Sequence, residues 1–317
     1  MQLSIVIPVF NEEENIEPLI REIDAVLAPS GQRYEIVAVD DGSKDGTFAV
    51  LRGLLCQQKG LKAVRLKRNF GQTAALAAGL ACAQGDVIVL MDGDGQNDPA
   101  DIPALLKKID DGNDLVAGWR HNRQDPFLNR RLPSMIANRL ISWTTQVKLH
   151  DYGCTLKAMR KDLAKNLRLY GEMHRFIPAI AYERGAQIAE LKVNHRPRLR
   201  GKSKYGIMRT LRVVLDLLTV KFLTSYSTRP AHVFGPIGFL SGLAGFAMGL
   251  YLTVQKLVYG LPIGGRPLLL LAILLIFIGI QFITMGLLGE MLARTYHESQ
   301  NRPVYVVGEI LGGDKAL

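Results

Sequence analysis

A chain of 317 residues with 48% hydrophobic side chains has room for one large domain, or a domain with an appendage, and material for a substantial core. Its formal charge of +10 is unevenly spread: residues 1–116 carry 18 acidic against 11 basic side chains, residues 117–232 carry 7 against 23, and residues 233–317 carry 4 against 5. The three cysteines, Cys56, Cys82 and Cys154, are far apart and in no ligand-like spacing, which excludes a disulfide scaffold and suits reduced thiols in a cytosol-facing protein.

The apolar N-terminus has no basic leader and runs straight into Asn11-Glu12-Glu13-Glu14, so no signal peptide is expected. Strand-like runs at 3–9, 35–40, 63–66, 87–91 and 115–118 alternate with helical patterns at 15–27, 45–55, 73–83 and 101–109. Such alternation predicts βαβ units, an α/β fold with a mostly parallel sheet between helices. Ligands of these folds bind outside the carboxyl ends of the strands. Polar clusters stand at four of those ends: Pro8 and Asn11-Glu12, Asp40-Asp41-Gly42-Ser43, Asn69-Phe70-Gly71, and Asp92-Gly93-Asp94. Each alone is ordinary turn or capping chemistry, whereas four in succession are better explained by one shared pocket. Asp92 and Asp94 end an apolar run, so a strand would deliver two carboxylates to a loop, a donor set that suits Mg²⁺ or Mn²⁺ against a diphosphate.

Taken together, Ile5-Val6-Ile7-Pro8-Val9-Phe10-Asn11-Glu12, Val39-Asp40-Asp41-Gly42-Ser43-Lys44-Asp45-Gly46-Thr47, Arg68-Asn69-Phe70-Gly71 and Asp92-Gly93-Asp94 resemble the motifs of family 2 glycosyltransferases with the GT-A fold. The resemblance implies a nucleotide-sugar site built from Pro8, Asn11, Glu12, Asp40, Asp41, Ser43, Asn69, Gly71, Asp92 and Gly93, with Asp41 accepting from the base. It also implies a divalent metal at Asp92 and Asp94, the latter the principal ligand, with Gln96 close by. Asn97-Asp98-Pro99 stands where relatives more often carry Asp-Pro-Pro.

The basic middle begins after Gly118-Trp119-Arg120, and Arg130 and Ser134 are spaced to share one helix face. Arginine's planar fork suits phosphate oxygens. Arg120 with Arg130-x-x-x-Ser134 is similar to the acceptor-phosphate pocket of dolichol-phosphate mannose synthase and its bacterial polyprenyl-phosphate relatives, though a solvated face has the same spelling. Asp151, before Tyr152-Gly153-Cys154-Thr155-Leu156-Lys157, is a candidate catalytic group, to orient a substrate or act as a base, or else a turn cap; Thr155-Leu156 replaces the Gly-Phe usual in the family. Arg198-Leu199-Arg200-Gly201-Lys202-Ser203-Lys204 sets four cations on alternate positions and resembles the family's Arg-x-x-Gly-x-Ser-Lys loop, which implies acceptor-phosphate roles for Arg198, Ser203 and Lys204.

Residues 205–225 have the pattern of an interfacial amphipathic helix, and residues 233–255 and 267–289 are uncharged stretches long enough to cross a hydrocarbon core of ~30 Å. A glycine series, Gly235, Gly238, Gly242, Gly245 and Gly249, permits close helix contact within the chain or in a homo-oligomer. The expected organisation is therefore a GT-A domain over 1–204, a juxtamembrane helix over 205–230, a transmembrane hairpin over 231–293 and a cytosolic tail over 294–317, with both termini in the cytosol. The expected function is inverting transfer of a hexose, glucose or mannose, from a UDP- or GDP-sugar to polyprenyl phosphate. A processive polysaccharide synthase would share the donor site, but the chain has no Gln-x-x-Arg-Trp motif. A non-enzymatic lipid-binding adaptor would not need the aspartates, and a nucleic-acid partner is not expected beside membrane segments.

Overall fold

A computed structural model of the chain describes residues 2–121, 147–169, 173–197, 231–299 and 305–312. The alternation read from the sequence is present: β1 (Leu3–Val9), α1 (Ile16–Leu27), β2 (Tyr34–Asp40), α2 (Thr47–Leu54), β3 (Leu61–Leu66), α3 (Gln72–Cys82), β4 (Val87–Leu90), α4 (Ile102–Asp110) and β5 (Leu115–Arg120). All seven residues of β1 are buried, as a continuous apolar run requires of a strand covered on both faces. Leu3, Ile5, Ile7 and Val9 join a core with the apolar stripe of α1, Ile16, Leu19, Ile20, Ile23 and Leu27. Each such side chain stabilises the fold by about 1.5–3 kcal/mol relative to exposure. Val6 points the other way, under α3, where small residues let the helix lie close: a Cβ on Gly79 would come within 2.3 Å of Val6 Cγ1.

Three further strands complete an eight-stranded sheet of order β7-β5-β6-β4-β1-β2-β3-β8: β6 (Lys157–Arg160), β7 (Ile188–Val193) and β8 (Val307–Leu311). Two short helices, α5 (Lys161–Asn166) and α6 (Ile177–Glu183), lie between β6 and β7. The sheet is mixed rather than wholly parallel. β6 runs antiparallel between β4 and β5, and β8 runs antiparallel along β3. The parallel core, with Val6 opposite Leu90, Val9 opposite Asp40 and Asp40 opposite Arg65, brings the carboxyl ends of β1 to β4 out side by side.

The chain divides into two compact units, Met1–Leu217 with Pro303–Leu317, and Leu218–Arg302. Residues 307–311, expected in a separate tail, thus belong to the sheet of the first unit. Arg52 of α2 pairs with Glu309 at 3.1 Å and the Lys67 N–H donates to the Val306 carbonyl at 3.0 Å, fastening β8 to its neighbours. The second unit holds α7 (Ala231–Tyr259) and α8 (Pro267–Ser299), within which Phe234–Tyr259 and Pro267–Gly289 are long and apolar enough to cross a membrane. The pair packs through part of the glycine series: a Cβ on Gly238 would sit 2.6 Å from the Gly279 carbonyl and one on Gly245 2.6 Å from that of Ala272, while Gly235 and Gly249 face open space. The interfacial stretch at 205–225 lies outside the described residues.

Ending the chain at residue 304 removes β8 and bares the edge of β3, an unpaired edge that invites aggregation. The purified variant is expected to melt several degrees lower, at about 2–4 °C per kcal/mol for a domain of this size. Equal melting temperatures would show that β8 adds nothing to the first unit.

Candidate active site

The four strand-end clusters are tied to one another by hydrogen bonds between their loops. From β1, the Asn11 N–H donates to Ser43 Oγ at 2.9 Å and Asn11 Oδ1 accepts the Lys44 N–H at 2.9 Å. Asn11 has a φ of 53°, left-handed backbone that asparagine tolerates better than other side chains. The Glu12 N–H donates to Thr47 Oγ1 at 2.9 Å, and the Glu12 carboxylate accepts from Asn15 at 2.6 Å ahead of α1. From β2, Asp41 accepts the N–H groups of Phe70 at 2.7 Å and Gly71 at 2.9 Å, fixing the loop between β3 and α3. Burial raises the Asp41 pKa and its neighbour Asp40 adds to the rise, while those two amides oppose it. Gly42 has a φ of 70°, and a Cβ there would lie 2.5 Å from the Arg68 carbonyl carbon, so the turn has room only for glycine. Beside this turn opens a cleft of about 420 Å³ lined by Gly42, Ser43, Arg65, Lys67, Gly308 and Glu309.

At the fourth end, Asp92 and Asp94 follow β4 on a loop drawn tightly against β1: a Cβ on Gly93 would lie 2.5 Å from Val9 Cγ1 and 3.1 Å from the Pro8 carbonyl. Asp92 accepts from Gln72 Nε2 at 2.8 Å. Asp94 Oδ1 accepts the Gln96 N–H at 3.1 Å. Burial first, and then the charge of Asp94, push the Asp92 carboxyl up to about 6, against the pull of Thr155, Arg120 and Lys157. Two hard oxygen donors that repel in part-buried surroundings fit a divalent cation. Among the described residues no third His, Cys, Asp or Glu joins them, which suits an ion completing its shell with water and substrate oxygens.

Several expected contacts have a different place. Asp40 is fully buried, with Oδ1 accepting the Ser43 N–H at 2.9 Å and Oδ2 3.5 Å from Arg65 Nε. It shapes the turn and has no surface to offer a nucleotide. Asp151 and Arg120, expected as a catalytic group and a phosphate ligand, are bound to each other: Arg120 Nε donates to Asp151 Oδ2 at 2.6 Å and Nη2 to Oδ1 at 2.9 Å. Asp151 Oδ1 also accepts the Gly153 N–H at 3.1 Å, and Glu190 of β7 accepts the His150 and Asp151 N–H groups. An acid so engaged, and 3% exposed, is an anchor for Arg120 rather than a base. Lys157, buried on β6, donates to the Cys154 carbonyl, and burial lowers its pKa. Asn69 is exposed at the rim of the site. Arg130, Ser134, Arg198, Ser203 and Lys204 lie outside the described residues.

Residues given no role in the sequence reading also build the site. Gln72 holds Asp92. His174, part-buried, shares a 2.8 Å hydrogen bond between its Nδ1 and Thr73 Oγ1, and desolvation lowers its pKa to about 3, so the ring is neutral. Arg196 bridges Glu22 at 2.7 Å and Asp98 at 2.8 Å while its N–H donates to the Gln96 carbonyl at 2.9 Å, so Asn97-Asp98 serves as a latch for the chain leaving β7. Gln72 alone had a local signal, its place at a helix start directly after the Asn69-Phe70-Gly71 cluster.

The raised pKa of Asp92 carries a stability consequence of definite sign. A carboxyl raised from an ordinary value near 3.9 to about 6 favours the folded state when protonated, and that contribution is lost as pH rises through about 6. Metal-free Asp92→Asn is therefore expected to unfold at higher temperature than the parent at neutral pH, by the equivalent of about 1–3 kcal/mol, with the gain vanishing towards pH ~4. Thermal unfolding in EDTA across this range checks it; a gain that persists unchanged at low pH would show another cause.

Comparison with known proteins agrees with this architecture. Residues 4–168 match the glycosyl transferase family 2 model. The chain is 45% identical, over 98% of its length and 93% of the relative's, to the dodecaprenyl-phosphate galacturonate synthase of Rhizobium johnstonii. It is 38% identical, over 98% and 93%, to the undecaprenyl-phosphate 4-deoxy-4-formamido-L-arabinose transferase of Shewanella sediminis. Among solved structures, glucosyl-3-phosphoglycerate synthase of Mycobacterium tuberculosis, in complex with Mn²⁺ and UDP-glucose, superposes with a TM-score of 0.55 at 21% identity, covering 69% of this chain and 78% of that one, a likeness of fold. With its mostly parallel sheet, its strand-end aspartates and matches running almost end to end, the chain belongs to glycosyltransferase family 2.

Proposed function

We propose that the protein transfers the sugar of a nucleotide-diphosphate sugar, with inversion, to the phosphate of a polyprenyl lipid at the cytosolic face of a membrane. The observation that carries this reading is the full-length similarity to transferases named for polyprenyl phosphates, extending through both apolar helices, in a chain whose Asp92 and Asp94 stand together at the strand ends. UDP is the proposed nucleotide. The relatives favour a galacturonyl group or a modified arabinose over the glucose or mannose expected from the sequence, and a galacturonyl donor is the first choice at 45% identity.

In this reading Pro8, Glu12, Asp41, Asn69 and Gly71 shape the nucleoside end of the donor site. Asp92 and Asp94 hold Mg²⁺ or Mn²⁺, which when bound supplies positive charge to the departing diphosphate. Arg130, Ser134, Arg198, Ser203 and Lys204 position the acceptor phosphate. One of its oxygens forms the new bond to the anomeric carbon from the face opposite the nucleotide, and the bond from that carbon to the diphosphate oxygen breaks, releasing the nucleoside diphosphate. The phosphate is ionised at neutral pH, so no strong general base is needed, and acceleration comes from positioning and preorganised charge. The engagement of Asp151 with Arg120 agrees with that absence of a base.

The topology proposed is an integral membrane protein with the catalytic unit and both termini in the cytosol. Its support is β8: a segment following both apolar helices pairs with β3, so the chain returns to the side it left. Two crossings achieve this, with the short loop between α7 and α8 on the far side.

Detergent-purified protein incubated with undecaprenyl phosphate, Mg²⁺ or Mn²⁺ and labelled UDP-galacturonic acid, UDP-glucose or GDP-mannose is expected to give one labelled lipid, lost in Asp94→Ala. Arg130→Ala and Arg198→Ala are expected to raise the acceptor KM by about tenfold or more, as loss of a charged hydrogen bond worth ~1.5–3 kcal/mol implies, with the donor KM little changed. Labelled polymer or free sugar without labelled lipid would leave the donor half standing and refute the acceptor.

A further inference from the structure

The link between the nucleoside end of the site and its aspartates runs through a residue with no assigned role. Gln72 opens α3 directly after Gly71, and its Nε2 donates to Asp92 Oδ1 at 2.8 Å. A carboxylate beyond the end of a strand can rotate about two torsions, and a donor at the start of a neighbouring helix selects one orientation. Gln72 is itself held from both sides. Phe70 and Gly71, just before it, donate their N–H groups to Asp41, and Thr73, just after it, is hydrogen-bonded to the His174 ring.

We infer that Gln72 is a positioning residue that holds the Asp92 carboxylate ready for a divalent cation, and that Asp41 and His174 act on Asp92 through it. This rests on the reading that Asp92 and Asp94 bind the metal. An outer-sphere donor of this kind orients a ligand and sets its affinity without touching the ion. The nucleoside loop and the metal loop then behave as one body.

The test is Mn²⁺ affinity, read from the electron paramagnetic resonance signal of free Mn²⁺ during titration of full-length, EDTA-stripped protein in the presence of UDP. Gln72→Ala and Gln72→Met, the second keeping side-chain length and losing the donor, are each expected to weaken Mn²⁺ binding about 10-fold. UDP affinity in EDTA, which a general loss of structure would lower, is expected to stay within about two-fold of the parent. Mn²⁺ affinity within about two-fold of the parent in both variants, with binding lost in Asp94→Ala, would overturn the role of Gln72 alone. Undiminished Mn²⁺ binding in Asp94→Ala would overturn the metal reading and the role of Gln72 with it.

Discussion

Asp92 and Asp94 stand on one short loop at the end of a buried strand, where burial and the neighbouring Asp94 both disfavour ionisation of Asp92. Much of the surrounding structure serves to keep them there. Gly93 lets the loop lie against the end of β1, Gln72 holds one carboxylate, and the Gln96 N–H turns back onto the other. Arg120 and Lys157 bring positive charge near Asp92 without pairing directly with it, since Arg120 is bound to Asp151 and Lys157 to a backbone carbonyl. The site is thus costly by itself, and the proposed cation would relieve it, an arrangement in which stability is given up for binding.

The segregation of charge along the chain has a structural counterpart at Arg196. Its contacts with Glu22, Asp98 and the Gln96 carbonyl tie the chain leaving β7 to the loop that carries Asp94. The acidic first third and the basic middle meet at this latch, through partners 98 and 174 residues apart in sequence. Asn97-Asp98, a departure from the commoner family spelling, supplies the carboxylate that makes it.

β8 gives the first unit a second attachment to the rest of the chain. A sheet that receives its edge strand from beyond two apolar helices is joined to them through the chain at both ends.

Alternating strand and helix patterns from residue 3 to residue 118, the strand-end clusters and the two apolar stretches were all written in the sequence, because they depend on periodicity, run length and turn chemistry, which are local. β6, β7 and the pairing of β8 with β3 were not, since short or half-exposed strands depend on the neighbours they pair with. The same division holds within the site. Asp92, Asp94 and Asp41 could be picked out by residue type at the end of an apolar run, but the engagement of Asp151 with Arg120, the burial of Asp40 beside Arg65 and the grip of Gln72 on Asp92 each depend on residues brought together by the sheet order. Sequence determined which groups could do chemistry; only tertiary structure decided which carboxylates were already spoken for, because a hydrogen-bond partner 20 to 31 residues away leaves no mark on local pattern.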